Sequence, residues 1–313
     1  MKCLVIYAPH AMKGKVKKYK QKIKNTLHQK FTTVDFLESK YKHHTSELAS
    51  SACGIYDCLI ALGGDGTFNE VVNGIANKHN KPTIGFLPCG TVNDLARSLG
   101  ISRRLNKSLK VILDGYTFNH DVFKVNNRYG IYVLAAGILT SCSYLAGQQK
   151  KRRFGWYAYA FEALKVMFRK NRLDVEITCD DKTFEGRFAF LLLANSNSVA
   201  GLNVNKNAEL NDGYIDVVLL RQFGFLKITN LISALRLLKI FTFKIKKLKN
   251  TKYFVRLTAK NIQIKNKSQA SFNLDGEYGG NSKNINLSML KQEVEILVPR
   301  TNKNIKPYTV KKF

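Results

Sequence analysis

The chain has 313 residues, 51 Lys and Arg against 22 Asp and Glu, a formal charge of +29, and 45% hydrophobic residues. An apolar fraction this close to the globular norm excludes a wholly disordered chain or a polar fibre, and the length suggests about two domains. Six cysteines, at 3, 53, 58, 89, 142 and 179, form no CxxC pair and are too sparse for a disulfide framework, which fits a reducing cytoplasm.

The opening MKCLVIYAPH has an apolar run shorter than the core of a signal peptide, so residues 4–7 read as a first strand. Residues 15–28 carry apolar Val16, Tyr19, Ile23 and Leu27 at helical spacing. A strand over 33–37, a helix over 45–52 and a buried strand over 58–62 follow. After the interruption GGDGT, helical periodicity resumes over 69–77. The unit then repeats, with a strand over 82–87, the turn PCGT and a helix over 92–99 stopped by Gly100. Such alternation predicts a parallel sheet covered by helices.

Beyond about residue 120 the texture changes to antiparallel strands, expected over 123–126, 128–136, 175–179, 184–194, 214–220, 253–258, 262–264 and 294–298. Helices are expected over 155–168 and 225–238. The first places Tyr157, Phe161, Leu164 and Phe168 on one face, which suits either packing into the second domain or the membrane interface. The most apolar stretch, residues 131–147, is shorter than the roughly 20 residues a spanning helix needs, and no transmembrane helix is expected.

Charge is uneven. Residues 217–274 hold 13 Lys or Arg and no Asp or Glu, a polycationic block suited to an anionic leaflet, although A/T-biased composition accounts for part of the excess. No RNA-recognition motif accompanies it, and nucleic acid is not an expected partner.

The strongest chemical signal is Gly63, Gly64, Asp65, Gly66 and Thr67 between a strand and a helix. Glycines let backbone approach an anion, and a helix start offers unpaired N–H groups, so the segment reads as a phosphate cradle. Thr67 could cap the helix or donate to a phosphate, and Asp65 could meet Mg²⁺ or a ribose hydroxyl. The Walker pattern GxxxxGK[ST] and the dinucleotide pattern GxGxxG are both absent. A second strand-turn-helix, with Gly90, Thr91 and Asn93 on its turn, should lie beside the first at the C-terminal edge of the sheet. For Asn93, simple helix capping is the alternative.

GGDGTFNEVVNG followed by LPCGTVNDLARSLG resembles the catalytic domain of the diacylglycerol kinase family, especially the soluble bacterial lipid kinases, with sphingosine and ceramide kinases as relatives. NAD kinases and phosphofructokinases have a related glycine-rich signature, but GTVNDLAR looks like the lipid kinase branch. The likeness continues through KKRRFGWYAY at 150–159, AELNDGYIDV at 208–217 and NLDGE at 273–277, covering about residues 1–300.

The change of period alone sets a boundary near residues 115–122, dividing residues 1–120 from residues 121–300, with a basic tail over 301–313. The resemblance implies an α/β N-terminal nucleotide-binding domain and a mostly β, sandwich-like C-terminal domain, with the active site in the interdomain cleft. It implies ATP on Gly63 to Thr67, with Ser39, Glu70, Gly90, Thr91 and Asn93 around the nucleotide. Glu277 falls at the family's proton acceptor, and Asp275 is an alternative base. A type I′ turn at Asp275 and Gly276 with a solvated Glu277 is the plain alternative. Asp212 matches a Mg²⁺ site completed by the backbone carbonyls of Glu209 and Tyr214, where an Asn-Asp-Gly turn without metal is the other reading.

The implied activity is transfer of the γ-phosphate of ATP, with Mg²⁺, to the hydroxyl of diacylglycerol or a similar lipid alcohol at an anionic membrane surface, by a cytoplasmic, peripherally attached enzyme. A soluble acceptor such as NAD, or a non-catalytic basic module, are the alternatives, and a homodimer is left open. Two segments depart from the family pattern: residues 8–14 lack the Asn of an Asn-Pro-x-x-Gly turn, and residues 196–202 lack a glycine-rich run.

Overall fold

In the computed structural model, residues 1–137, 173–199, 201, 205, 208–222, 250–301 and 310–313 are described. The helices expected over 155–168 and 225–238 lie outside them.

The first third alternates as its periodicity predicts. In chain order come β1 (Lys2–Tyr7), a 3-10 turn (Ala11–Gly14), α1 (Val16–Leu27), β2 (Thr33–Glu38), α2 (His44–Ala52), β3 (Cys58–Gly63), α3 (Asp65–Ile75), β4 (Thr83–Pro88), α4 (Asp94–Ser98) and α5 (Leu105–Asp114). Strands β2, β1, β3 and β4 pair in that order, all parallel. Their near-continuous apolar runs follow from burial on both faces. Cys3, Val5, Cys58, Ile60 and Leu62 pack with Ile23 and Leu27 of α1 and Leu109 and Ile112 of α5. Leu4, Ile6, Leu59 and Ala61 pack with Ala49 of α2 and Phe68, Val71 and Val72 of α3. Helix α5 went unread in the sequence.

The rest is antiparallel: β5 (Tyr116–Val125), β6 (Arg128–Gly130), β7 (Val133–Gly137), β8 (Leu173–Cys179), β9 (Lys182–Ala194), β10 (Ile215–Arg221), β11 (Phe254–Ala259), β12 (Asn261–Asn266), β13 (Phe272–Leu274), β14 (Glu277–Gly280), β15 (Asn284–Leu297) and β16 (Val310–Lys312). Alternate residues of β8, β12 and β15 fill the interior of the sandwich-like unit. The second half of β9 is buried on both faces, with Leu191 and Leu193 in the sandwich and Phe190 and Leu192 in the core shared with α3.

Two differences from the sequence reading have physical causes. The single strand expected over 128–136 is split, because the backbone N–H groups of Ile131, Tyr132 and Val133 turn onto the Asp275 carboxylate. The strand expected over 294–298 is the end of a longer one. β15 pairs with β12 and β5, bulges where the N–H of Gln292 donates to Asp121, and ends with Ile296 beside Ile84 of β4. It thereby joins the antiparallel unit to the edge of the parallel sheet. Among the described residues no helix is long and apolar enough to cross a membrane.

Candidate active site

The GGDGT segment is the tightest turn of the first unit. Gly63 ends β3, Gly64 is the N-cap of α3 in an extended conformation, and the helix begins at Asp65, four residues earlier than periodicity alone suggests. Helix starts leave backbone N–H groups without intrahelical acceptors, and those of the first turn are carried here at the C-terminal edge of the sheet. Thr67 is not the cap. It lies inside the helix with its side chain folded over Gly63, where any Cβ would collide with it.

The second turn, between β4 and α4, meets the first through glycine backbone. A Cβ on Gly64 would lie 3.2 Å from the Cα of Gly90, and one on Gly90 would lie 2.6 Å from the Cα of Gly64. Asp65 stitches the turns together, since its carboxylate accepts from the N–H of Asp94 at 3.0 Å and of Leu95 at 3.2 Å. Burial, then the neighbouring Asp94, push this carboxyl up to about 6, while the backbone donors pull it down. As placed, Asp65 is the cap of α4, and both of its oxygens are engaged.

Asn93 is buried in the left-handed region, with φ 55°, a conformation Asn tolerates. Its amide closes back on Gly90, accepting from that N–H at 3.0 Å and donating to that carbonyl at 2.7 Å. It shapes the turn and does not cap α4. Thr91 is exposed at the tip. Ser39 is buried just beyond β2, its N–H donating to Tyr7 at the end of β1. Glu70, on α3, receives the N–H of His43 at 3.4 Å and faces the start of α2. In the 8–14 segment, the N–H of Met12 donates to Cys89 Sγ at 3.3 Å, so a thiol ties this turn to the PCGT loop.

The second unit supplies carboxylates. Asp275 and Gly276 both have positive φ, 50° and 85°, and Leu274 pairs with Glu277, the geometry of a two-residue hairpin turn. That turn does not leave Glu277 remote from the rest. A methyl group on Gly66 would lie 2.9 Å from Glu277 Oε1, so the carboxylate stands over the first turn of α3.

Asp275 is fully buried and accepts four hydrogen bonds: from the N–H groups of Ile131 (2.7 Å), Tyr132 (3.0 Å) and Val133 (2.8 Å) and from Asn69 Nδ2 (2.6 Å). Burial pushes its carboxyl up to about 6 against the pull of those donors. With its oxygens so occupied, Asp275 is poorly suited to take a proton from an acceptor. The Tyr132 phenol lies 3.0 Å from where a Gly276 Cβ would be. Burial, then Asp65, Asp275, Asp94 and Glu277, hold it well above the ordinary phenol range, so it remains a protonated donor.

The elements are docked by α4. Asp94 accepts from Ser198 Oγ at 2.6 Å and the Gly201 N–H at 2.8 Å. Ser98 Oγ meets Ser196 Oγ at 2.6 Å, and Arg97 donates to the Gly201 carbonyl at 3.0 Å. Ser196, Ser198 and Gly201, from a stretch unusual for its serines, thus make an interdomain contact. Asn69 and Asn73, one turn apart on α3, also grip the second unit and were not singled out in the sequence. Two Asn residues at i,i+4 in a helix interior, where Asn is a poor helix former, were the available signal.

The metal corner expected from the sequence is the turn before β10. Asp212 Oδ1 accepts from the Tyr214 N–H at 2.9 Å, and burial, Glu209 and Asp216 raise its carboxyl above the usual range. Among the described residues, no group of three His, Cys, Asp or Glu side chains is assembled to hold a metal. The Asp212 carboxylate and nearby backbone carbonyls are all oxygen donors, a set of the kind Mg²⁺ accepts.

Comparison with known proteins matches residues 2–125 to the family described as "Diacylglycerol kinase catalytic domain" and residues 133–298 to "YegS C-terminal NAD kinase beta sandwich-like domain". A protein named diacylglycerol kinase from Staphylococcus saprophyticus is 34% identical, over 88% of this chain and 87% of its own. One of the same name from Staphylococcus epidermidis is 34% identical, over 86% and 83%. A solved structure titled as a putative diacylglycerol kinase from Bacillus anthracis superposes with a TM-score of 0.77 at 21% identity, covering 95% of this chain and 97% of the other.

Proposed function

Given that this chain belongs to the diacylglycerol kinase catalytic-domain family, and so to the kinases, with ATP as the expected co-substrate, we propose that it transfers the γ-phosphate of ATP to the free hydroxyl of diacylglycerol or a similar lipid alcohol at an anionic membrane surface. The observation that carries this reading is the approach of Glu277 to Gly66, which sets a carboxylate beside a glycine-lined helix start. Phosphoryl transfer needs positioning and charge neutralisation more than covalent chemistry, plus one base for the acceptor hydroxyl.

In this reading the phosphates of ATP lie on the N–H groups of the first turn of α3, flanked by Thr67 and Thr91. Gly64 and Gly90 keep the floor free of side chains, while Asp65 and Asn93 fix its shape. The nucleotide extends toward Ser39, with Glu70 bordering it. Glu277 accepts the proton of the lipid hydroxyl as that oxygen attacks the γ-phosphorus and the bond to ADP breaks. Mg²⁺ bound with the nucleotide supplies charge neutralisation, and a second ion held by Asp212 with the carbonyls of Glu209 and Tyr214 would brace the 209–214 loop. The excess of Lys and Arg favours residence at an anionic leaflet.

The test is transfer of labelled γ-phosphate, with Mg²⁺, to diacylglycerol, monoacylglycerol, sphingosine, ceramide, undecaprenol and NAD, with and without anionic vesicles. A phosphorylated lipid is expected, and Glu277→Gln should lower kcat by at least ~10²-fold while ATP still binds, in line with loss of a general base. Label on NAD alone would move the reading to a soluble-acceptor kinase, the alternative suggested by the description of the second domain.

A further inference from the structure

Helix α3 does more than present its N-terminus. Gly66, Asn69 and Asn73 fall at i, i+3 and i+7, one face of the helix, and each meets the second unit. Gly66 lies under Glu277. Asn69 Nδ2 donates to Asp275 at 2.6 Å and to the Tyr129 carbonyl at 3.1 Å. Asn73 donates to the same carbonyl at 2.8 Å and accepts the Tyr129 N–H at 2.9 Å, so it holds that peptide on both sides. Asn73 also donates to Asn69 Oδ1 at 3.0 Å, which leaves the Nδ2 of Asn69 facing Asp275.

Glu277 lies two residues beyond Asp275 in the same hairpin turn. Resting on the kinase reading above, we infer that Asn69 is a positioning residue for Glu277: its amide, oriented by Asn73, clamps the Asp275 turn to the helix that carries the nucleotide loop and so fixes the base over Gly66. Three backbone donors hold Asp275 within its own unit, and Asn69 is the donor that reaches it from the first unit. Base and phosphate cradle are thereby referenced to one rigid element rather than to separate domains. Errors of about 1 Å in such a placement lower turnover on the order of a hundredfold.

The test compares wild type, Asn69→Leu and Asn69→Asp for phosphate transfer to the lipid alcohol that wild type accepts. Asn69→Leu should lose at least ~10-fold in kcat with the KM for ATP within about twofold, because the cradle is untouched. Asn69→Asp sets two carboxyls against each other, and a shared proton restores the bond as pH falls. Its kcat relative to wild type should rise at least ~5-fold from pH 8.5 to 6. Titratable Tyr132, Asp65, Asp94 and Glu277 lie near the turn, Arg128 donates to the Tyr278 carbonyl of the same hairpin and Tyr129 is the residue whose peptide Asn69 and Asn73 hold, and because both proteins carry them the ratio is referenced against them.

A kcat within twofold of wild type in Asn69→Leu, or a flat Asn69→Asp ratio, would overturn the inference; if the Leu variant does not fold, the ratio alone decides. Wild-type silence toward every lipid would instead overturn the lipid-kinase reading. The clamp is then read by amide hydrogen exchange at Ile131, Tyr132 and Val133 in Asn69→Asp at pH 8. Exchange at least ~10-fold faster than wild type supports the clamp, and unchanged exchange overturns it.

Discussion

Asp275 shows how a side chain can be held ionised in a place that penalises charge. Burial acts against the carboxylate and four N–H donors act for it, and the balance leaves its carboxyl at about 6, above the ordinary 3.8. A folded-state value above the unfolded one means that the native state binds the extra proton between those values. The stability contributed by this titration is fully present below about pH 3.8 and is lost as pH rises through about 6. Asp275→Asn removes it, so wild type should gain stability relative to that variant as pH falls from 7 to 4. Urea unfolding of both proteins across that range checks the sign. The opposite slope would mean that the four donors outweigh burial.

Among the elements, α4 is the shortest described α-helix and one of the most heavily tied. Asp65 caps it from the neighbouring turn, and Asp94, Arg97 and Ser98 fasten it to Ser196, Ser198 and Gly201. Ser98→Ala takes one hydrogen bond from the buried Ser198 N–H and one from the Ser196 hydroxyl, which still bond each other, and should destabilise the protein by about 0.5–1.5 kcal/mol in urea unfolding. A loss below ~0.5 kcal/mol would mean that the segment repacks without it. The strands of the first unit and its helices other than α5 were legible in the sequence because both faces of its sheet are apolar and its turns are marked by glycine. GGDGT and the PCGT turn could be placed for the same reason. The grip of Asn69 on Asp275 could not, since it joins positions 206 apart through one amide and follows no period. The split between β6 and β7 was hidden likewise: the residues that cause it are apolar, and only the distant carboxylate shows why their N–H groups leave the ladder.

At the scale of the whole molecule, the two matched family regions are not two free-standing bodies. Core residues of α3 and β4 share one cluster with Phe190 and Leu192 of β9 and Val294 and Ile296 of β15. Strand β5 pairs antiparallel along most of its length with β15, from the far end of the second region. A fragment of residues 1–130 therefore keeps the nucleotide turns in its sequence but lacks the strand that covers β4 and β5. It should fail to unfold cooperatively and should bind ATP at least ~100-fold more weakly than the full chain; a cooperative urea transition with retained binding would contradict this. The same strand sets a schedule during synthesis. At roughly 5–20 residues per second, Leu297 emerges on the order of ten to thirty seconds after Val125, and through that interval the exposed strand edges await their partner. The growing chain thus has a window in which those edges can meet another chain before β15 exists to pair with them.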